Sequence, residues 1–334
     1  MGSILKAPNG MEAKFTMFVI LLTMLLSDQS APYSVDQPPP APVLSPDDPI
    51  ATSRRDEGFH LILGTLLSFN SDTAFPRFIG PSSNPLLAKD PRSLSEARLL
   101  GVLNWAPTDH PWDGNLAESY LLQVRVAIDK RWSVFMDKSG YSFINQGANG
   151  SVDGWNNLAF GGKYVLIRDV ENQFLLSAGL QYEAPTGESS VYQRPSDGSL
   201  TAFVSAGQEF WCFWHAIGNV GARIPMSDKT SGLFYGQVHL DRECMGWLYP
   251  LVECNYYRIT SDGNGTPAIN LGQGDALLDW SMPGTVGSDL VTVAVGMKAK
   301  CNRNLEVGIT YERPLTDTSR VLEHRIVAEL ILRY

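Results

Sequence analysis

The feature of this sequence that most constrains its fold is the alternating length of the connections between its predicted strands. From residue 96 onward strand-like segments follow one another, and none shows the 3.6-residue period of a helix. We predict twelve strands, at residues 97–105, 118–128, 131–138, 156–168, 172–184, 200–212, 214–225, 231–243, 246–260, 289–300, 303–313 and 323–334. The long connections are 106–117, 139–155, 185–199, 261–288 and 314–322. The short ones are 129–130, 169–171, 213, 244–245 and 302, and 226–230 is intermediate.

Short turns at one end and long loops at the other are typical of transmembrane β-barrels, and single-chain bacterial barrels have even numbers of strands. The pattern therefore predicts an all-β fold, a transmembrane antiparallel up-and-down β-barrel of about 12 strands that covers residues 96–334. With an even number of strands both termini lie on the short-turn side, which we expect to be periplasmic. A soluble β-domain is the alternative.

Side-chain alternation supports a barrel with an apolar outside. In segment 289–300, Val293, Val295 and Met297 share one face, and Thr292 and Lys298 lie on the other. The same alternation runs through 172–184 and 303–313. We expect the apolar faces to contact outer-membrane lipid and the polar faces to line the interior. We also expect Trp155, Trp214, Trp247 and Tyr249 to form an interfacial aromatic girdle.

The last predicted strand alternates in the same way and ends on an aromatic residue, Tyr334. It resembles the closing strand of bacterial outer-membrane β-barrels. The resemblance implies that the barrel-assembly machinery recognises this strand, so we expect that machinery to be a partner.

Fourteen charged or histidine side chains fall on the predicted inner face. They are Arg125, Lys163, Glu183, Glu209, Arg223, His239, Asp241, Glu253, Lys298, Glu306, Glu312, Arg325, Glu329 and Arg333. Mixed charges can line an aqueous path and select solutes. The alternative is that these charges pair across a closed interior and only hold the barrel together.

The N-terminal part of the chain has a different composition. Residues 1–31 combine Lys6 and Lys14 with the apolar run 17–26, which predicts a secretory signal peptide, and Met11 is an alternative start. A short buried helix is the other interpretation. Residues 32–58 are rich in proline and are predicted to be a disordered tether. Residues 59–95 are predicted to cap one end of the barrel or to plug it.

Charge and cysteine content exclude several classes of protein. The formal net charge of −9 over 334 residues disfavours a nucleic-acid partner. The four cysteines show no C-x-x-C spacing, so we expect no metal site and no cofactor. Cys244 and Cys254 form a disulfide in one interpretation and stay free thiols in the other.

Residues 154–187 read G-W-N-N-L-A-F-G-G-K-Y-V-L-I-R-D-V-E-N-Q-F-L-L-S-A-G-L-Q-Y-E-A-P-T-G. This hairpin, with G-x-K-Y in its first strand and P-T-G after its second, resembles the outer-membrane barrel family named after the meta-pathway of phenol degradation. The segments F-I-G-P-S-S-N-P and A-K-D-P-R-S-L-S-E-A-R-L resemble planctomycete members of that kind. The resemblance implies a porin-like channel or transporter that passes small organic solutes, passively or gated.

Two other functions remain as alternatives. One is a lipid-modifying barrel hydrolase, for which His215 and His239 are the histidines to consider, with Ser205 and Asp241 as partners. No G-x-S-x-G motif surrounds these residues, so the sequence does not predict an enzyme. The other is a non-conducting structural or adhesive barrel that presents the loop 261–288, rich in Gly, Asn and Asp, to an external partner.

Overall fold

A computed structural model of the chain describes residues 69–193, 197–211, 213–264, 277, 283–316 and 322–334. These residues form fourteen β-strands and two single-turn 3₁₀ helices, at Gly147–Asn149 and Ser189–Val191. The first seven strands are β1 (Glu96–Trp105), β2 (Leu116–Ala127), β3 (Trp132–Lys138), β4 (Gly140–Asn145), β5 (Ser151–Trp155), β6 (Leu158–Asp169) and β7 (Phe174–Ala184). The others are β8 (Ser199–Phe210), β9 (Trp214–Pro225), β10 (Gly232–Arg242), β11 (Leu248–Ser261), β12 (Asp289–Lys300), β13 (Leu305–Pro314) and β14 (His324–Arg333). The predicted signal peptide and tether lie outside the described residues.

The strands form one antiparallel sheet that closes on itself. Strand β1 pairs with β2 on one side and with β14 on the other, so that Glu96 lies opposite both Arg125 and Arg333. Strand β2 pairs with β3 over one half of its length and with β4 over the other half, while β5 pairs with β4 and β6 with β3. The wall therefore contains twelve strands, two of which are interrupted, and the predicted closed antiparallel barrel is confirmed.

The prediction of a long loop at 139–155 is wrong. Residues 140–145 and 151–155 are β4 and β5, which extend the wall beyond β3 and β6. The break between β3 and β4 needs a glycine, because Gly140 has φ +133° and a Cβ there would lie 2.0 Å from the Tyr120 carbonyl oxygen. At the tip of the β4–β5 hairpin, Gly147 and Gly150 also have positive φ.

Side chains alternate across the wall as the sequence predicts. Val295 and Met297 are exposed on the outside, whereas Lys298 on the same strand is buried on the inside. Trp155 and Trp247 are exposed near strand ends, but Tyr249 is buried and faces inward, so its assignment to an aromatic girdle is wrong. An exposed apolar band that encircles a sheet is a surface suited to lipid. Among the described residues, no helix has the length and apolar character needed to cross a membrane.

The interior of the barrel holds residues 69–95, which we call the inner segment. It forms no helix or strand, and residues 78–95 are all buried. Both of its ends lie at the short-turn end of the barrel, where Asp72 N–H donates to the Ser93 carbonyl at 2.8 Å and Gln173, in the β6–β7 turn, donates to the Ala74 carbonyl at 3.1 Å. The segment therefore enters and leaves the barrel at the same end.

The middle of the inner segment reaches an apolar cluster inside the barrel. Leu86 and Leu87 belong to the same buried cluster as Trp112, Val191 and Leu277. These last three residues come from three different connections at the long-loop end. Residues from the long loops and from the inner segment thus meet inside the barrel.

Candidate functional site

The wall provides hydrogen-bond donors to the backbone of the inner segment. Since this segment forms no ladder of its own, its buried carbonyl groups need side-chain partners. Lys298 Nζ donates to the Gly80 carbonyl at 2.6 Å, and Gln123 Nε2 donates to the Pro85 carbonyl at 2.7 Å. The further contacts of this kind are Lys300 to Pro76 at 2.7 Å, Arg98 to Pro81 at 2.9 Å, Tyr235 to Leu87 at 3.2 Å and Lys163 to Arg92 at 2.6 Å. The inner segment is therefore held along its whole length by wall side chains.

Glu253 on β11 is the main acceptor for the inner segment. Its carboxylate accepts the backbone N–H groups of Ser82 at 2.8 Å and Ser83 at 2.6 Å, and also the Ser83 hydroxyl. On the wall side it contacts His239 Nδ1 at 2.6 Å. Glu253 is fully buried, so each of these hydrogen bonds forms away from solvent.

A chain of histidines and carboxylates extends from Glu253 along the wall. His239 Nε2 lies 2.9 Å from one oxygen of Asp241, and His215 Nδ1 lies 2.7 Å from the other. The ring of Phe78, from the inner segment, packs on His215 with centroids 5.0 Å apart. His239 thus contacts a carboxylate through each of its ring nitrogens and links Glu253 to Asp241 in the buried interior.

The geometry does not provide a Ser-His-Asp catalytic triad for the hydrolase alternative. The structure brings His215, His239 and Asp241 together, as that alternative requires. Ser205, however, donates its hydroxyl to the Lys89 carbonyl at 2.6 Å. The Ser205 hydroxyl thus donates to the inner segment and not to either histidine.

All fourteen predicted inner-face residues point into the barrel, and most take part in ion pairs. Ten are buried, and Arg125, Glu183, Glu209 and Arg333 are partly buried. The wall pairs include Lys298 with Glu329 at 2.7 Å, Arg333 with Glu306 at 2.7 Å, Arg325 with Glu312 at 3.4 Å and Lys138 with Glu183 at 2.6 Å. In this structure most of these charges form ion pairs with one another, in an interior that also contains the buried residues 78–95.

Several residues that face the interior were not predicted to do so from the sequence. Asp137 and Arg98 lie on the inward faces of β3 and β1, where the alternation within those strands would have identified them. Glu96 was not predicted to face inward because the first strand begins one residue earlier than predicted. Lys89 and its neighbours in the inner segment have no periodic pattern, so no sequence signal indicated their contacts.

An arc of inward-facing aromatic rings surrounds the middle of the inner segment. Each ring packs over a glycine directly across from it on the neighbouring strand. The pairs are Phe135 with Gly161, Phe203 with Gly179 and Tyr235 with Gly221. A Cβ at these glycines would come within 2.5 to 2.7 Å of the ring, so only glycine leaves the rings room to lie against the wall.

The described residues contain no group of three or more His, Cys, Asp or Glu side chains arranged to hold a metal ion. Cys244, Cys254 and Cys301 are free thiols, so the interpretation with a Cys244–Cys254 disulfide is wrong. Cys254 is exposed on a strand whose adjacent Glu253 faces inward, which places the thiol on the outside of the wall.

The longest loop is anchored at its base by Asp262. The carboxylate accepts the backbone N–H groups of Gly284, Thr285 and Val286, each at 2.9 Å. These hydrogen bonds lower the pKa of Asp262 below its ordinary value, and the bond from the Gly284 N–H has the largest effect. The two ends of the loop predicted at 261–288 are thereby joined.

Comparison with solved structures identifies the architecture. An outer-membrane channel from Pseudomonas putida F1 is similar over 77% of this chain and 100% of its own, with a TM-score of 0.53 and 9% sequence identity. The chain has the fold of an outer-membrane β-barrel. The NanC porin aligns over 71% of this chain and 99% of its own, with a TM-score of 0.46 and 8% identity. No protein-family model and no curated protein matches the sequence. The resemblance at 154–187 to the meta-pathway family therefore stays a prediction.

Proposed function

We propose that this protein is an outer-membrane channel for small organic solutes and that the inner segment closes it. The observation that carries the proposal is the way the inner segment is held. Residues 78–95 fill the barrel, yet every contact described above is a hydrogen bond, an ion pair or a packing contact. Because both ends of the segment lie at the short-turn end, it can withdraw without passing through the barrel.

The same arrangement supports a bacterial outer-membrane location with periplasmic termini. Short turns join the strands at the end where Glu96 and Arg333 pair, and the long connections lie at the other end. In outer-membrane barrels the short turns are periplasmic. The inner segment then enters the barrel from the periplasm, and β14, which Tyr334 follows, is the strand that the barrel-assembly machinery recognises.

A non-conducting structural barrel is the second candidate. The observation that favours it is the apolar cluster that Leu86 and Leu87 form with Trp112, Val191 and Leu277, since it fills the interior beyond the polar contacts of Glu253. In that case withdrawal of the inner segment leaves the barrel blocked by its loops.

Conductance under mild denaturant separates the two candidates. An irregular segment held by side chains has fewer cooperative contacts than the closed sheet, so low urea is expected to release it first. We expect the purified full-length protein in planar bilayers to be closed without urea and to show discrete conductance in urea too dilute to unfold the barrel. Uptake of small organic solutes by proteoliposomes should rise over the same range. A heat-dependent shift in gel mobility monitors the intact barrel. Absence of conductance at every voltage, while that shift persists, would favour the structural barrel.

A further inference from the structure

The side chain of Lys89 ends in an enclosed, partly aromatic site. Its Nζ lies 2.6 Å from Asp137 Oδ2 and donates to the Leu86 carbonyl, also at 2.6 Å. The same atom lies 5.2 Å from the ring centroid of Phe135 and 5.9 Å from that of Phe203. Both distances fall within the range of about 6 Å over which an aromatic face attracts a cation. Lys89 and Asp137 are almost completely buried.

The wall, and not the inner segment, builds this site. Asp137 and Phe135 are on β3, and Phe203 is on β8. The two rings lie 6.0 Å apart and are held against the wall by their cross-strand glycines. Arg125 Nε lies 3.5 Å from the other oxygen of Asp137, and two further wall cations, Arg98 and Lys163, interact electrostatically with this carboxylate. Withdrawal of the inner segment would remove Lys89 and leave the rings and the carboxylate in place.

We propose that Asp137, Phe135 and Phe203 form a binding site for a primary ammonium group, which Lys89 occupies as an internal ligand. An organic ammonium solute takes the same site when the inner segment withdraws. This second statement rests on the proposed channel function, whereas the existence of the site does not. The carboxylate supplies charge and a hydrogen-bond acceptor, and the rings exclude water while attracting the cation.

The wall also contacts the backbone of Lys89 beside the ammonium site. Ser205 donates to its carbonyl at 2.6 Å, and Asn219 Oδ1 accepts its N–H at 2.9 Å. Withdrawal of the segment frees this donor and this acceptor. A solute that carries an ammonium group together with a polar group at its other end would satisfy both parts of the site, which a simple hydrocarbon cannot do.

Chemical rescue tests the ammonium site without requiring the channel to open. The substitution Lys89→Ala removes the atoms of n-propylammonium and vacates the site in the full-length protein. We expect Lys89→Ala to lower the unfolding midpoint in detergent or bilayers. We expect added n-propylammonium to recover most of that loss in a saturable way, with no comparable effect on the wild-type protein, whose site is filled.

Two controls define the chemistry. The alcohol 1-propanol has a similar shape but no charge, so it should give no saturable recovery. The double substitution Lys89→Ala with Asp137→Asn should abolish recovery by n-propylammonium. If Lys89→Ala fails to fold, the yield of heat-modifiable barrel on refolding with either compound replaces the unfolding midpoint as the readout.

The site is refuted if n-propylammonium gives no saturable recovery, if 1-propanol recovers as much, or if Asp137→Asn has no effect on the recovery. Rescue without conductance in the urea experiment would support the site and contradict the channel. Conductance without rescue would contradict the ammonium site and support the channel.

Discussion

Arginine in place of Val238 is expected to destabilise the protein by about 2–4 kcal/mol, because an arginine near the midplane of a lipid-facing wall loses its hydration. Val238 lies near the middle of β10, next to the inward-facing His239, and is 59% exposed. Val286 offers a matched control, since it is 56% exposed in the loop after β11. Arginine at 286 is expected to cost within about 0.5 kcal/mol, as at an ordinary surface position.

Reversible denaturant titration of both variants in lipid bilayers measures the difference. The two positions carry the same residue type at nearly equal exposure, one in a wall strand and the other in a loop, so a large difference between them reports mainly the surrounding medium. A soluble β-domain would place both valines in water. Small losses at both positions would therefore contradict the transmembrane assignment.

Replacement of Glu253 by glutamine is expected to weaken the docking of the inner segment. The carboxylate accepts N–H groups from Ser82 and Ser83 and also contacts His239. Glutamine has only one acceptor oxygen, and its amide nitrogen would face donors that then lack a partner. Disruption of a buried charged contact of this kind costs about 3–5 kcal/mol. We expect Glu253→Gln to open the channel at lower urea than the wild-type protein.

Glu183→Gln is the control for this prediction. Glu183 faces the interior from β7, and its carboxylate contacts Lys138 Nζ at 2.6 Å and Asn157 Nδ2 at 2.8 Å, both outside the inner segment. Its replacement should lower barrel stability without making conductance appear at lower urea. If the two substitutions shift the onset of conductance equally, or if neither shifts it, Glu253 has no special role in holding the segment.

The wall of the barrel was predictable because each wall residue has one of two environments. Lipid on one side and a polar interior on the other impose a period of two, which assigns Val295 outward and Lys298 inward from sequence alone. Tyr249 was misassigned because an aromatic residue near a strand end suits either side. Its neighbour Pro250 is exposed, and that alternation places Tyr249 inside.

The inner segment was less predictable because its contacts follow no local rule. Residues 78–95 are irregular, and their partners are spread over almost every strand of the wall, from Arg98 on β1 to Glu329 on β14. A buried irregular backbone is stabilised by long-range side-chain donors and acceptors, which leave no periodic signal. The inner segment also changes the environment of wall residues. Alternation alone suggests that the inward-facing Thr292 contacts water, but in the structure it is fully buried.

The central claim, that the inner segment closes the barrel, is tested most directly by tethering it to the wall. Ser82 Oγ and Thr310 Oγ1 lie 3.2 Å apart, the first in the inner segment and the second on β13. Cysteines at these two positions are close enough for a disulfide after a small adjustment. The oxidised wild-type protein controls for its native cysteines. We predict that Ser82→Cys with Thr310→Cys conducts in low urea when reduced, loses that conductance on oxidation and regains it with reductant. Equal conductance of the cross-linked and reduced proteins would contradict the claim.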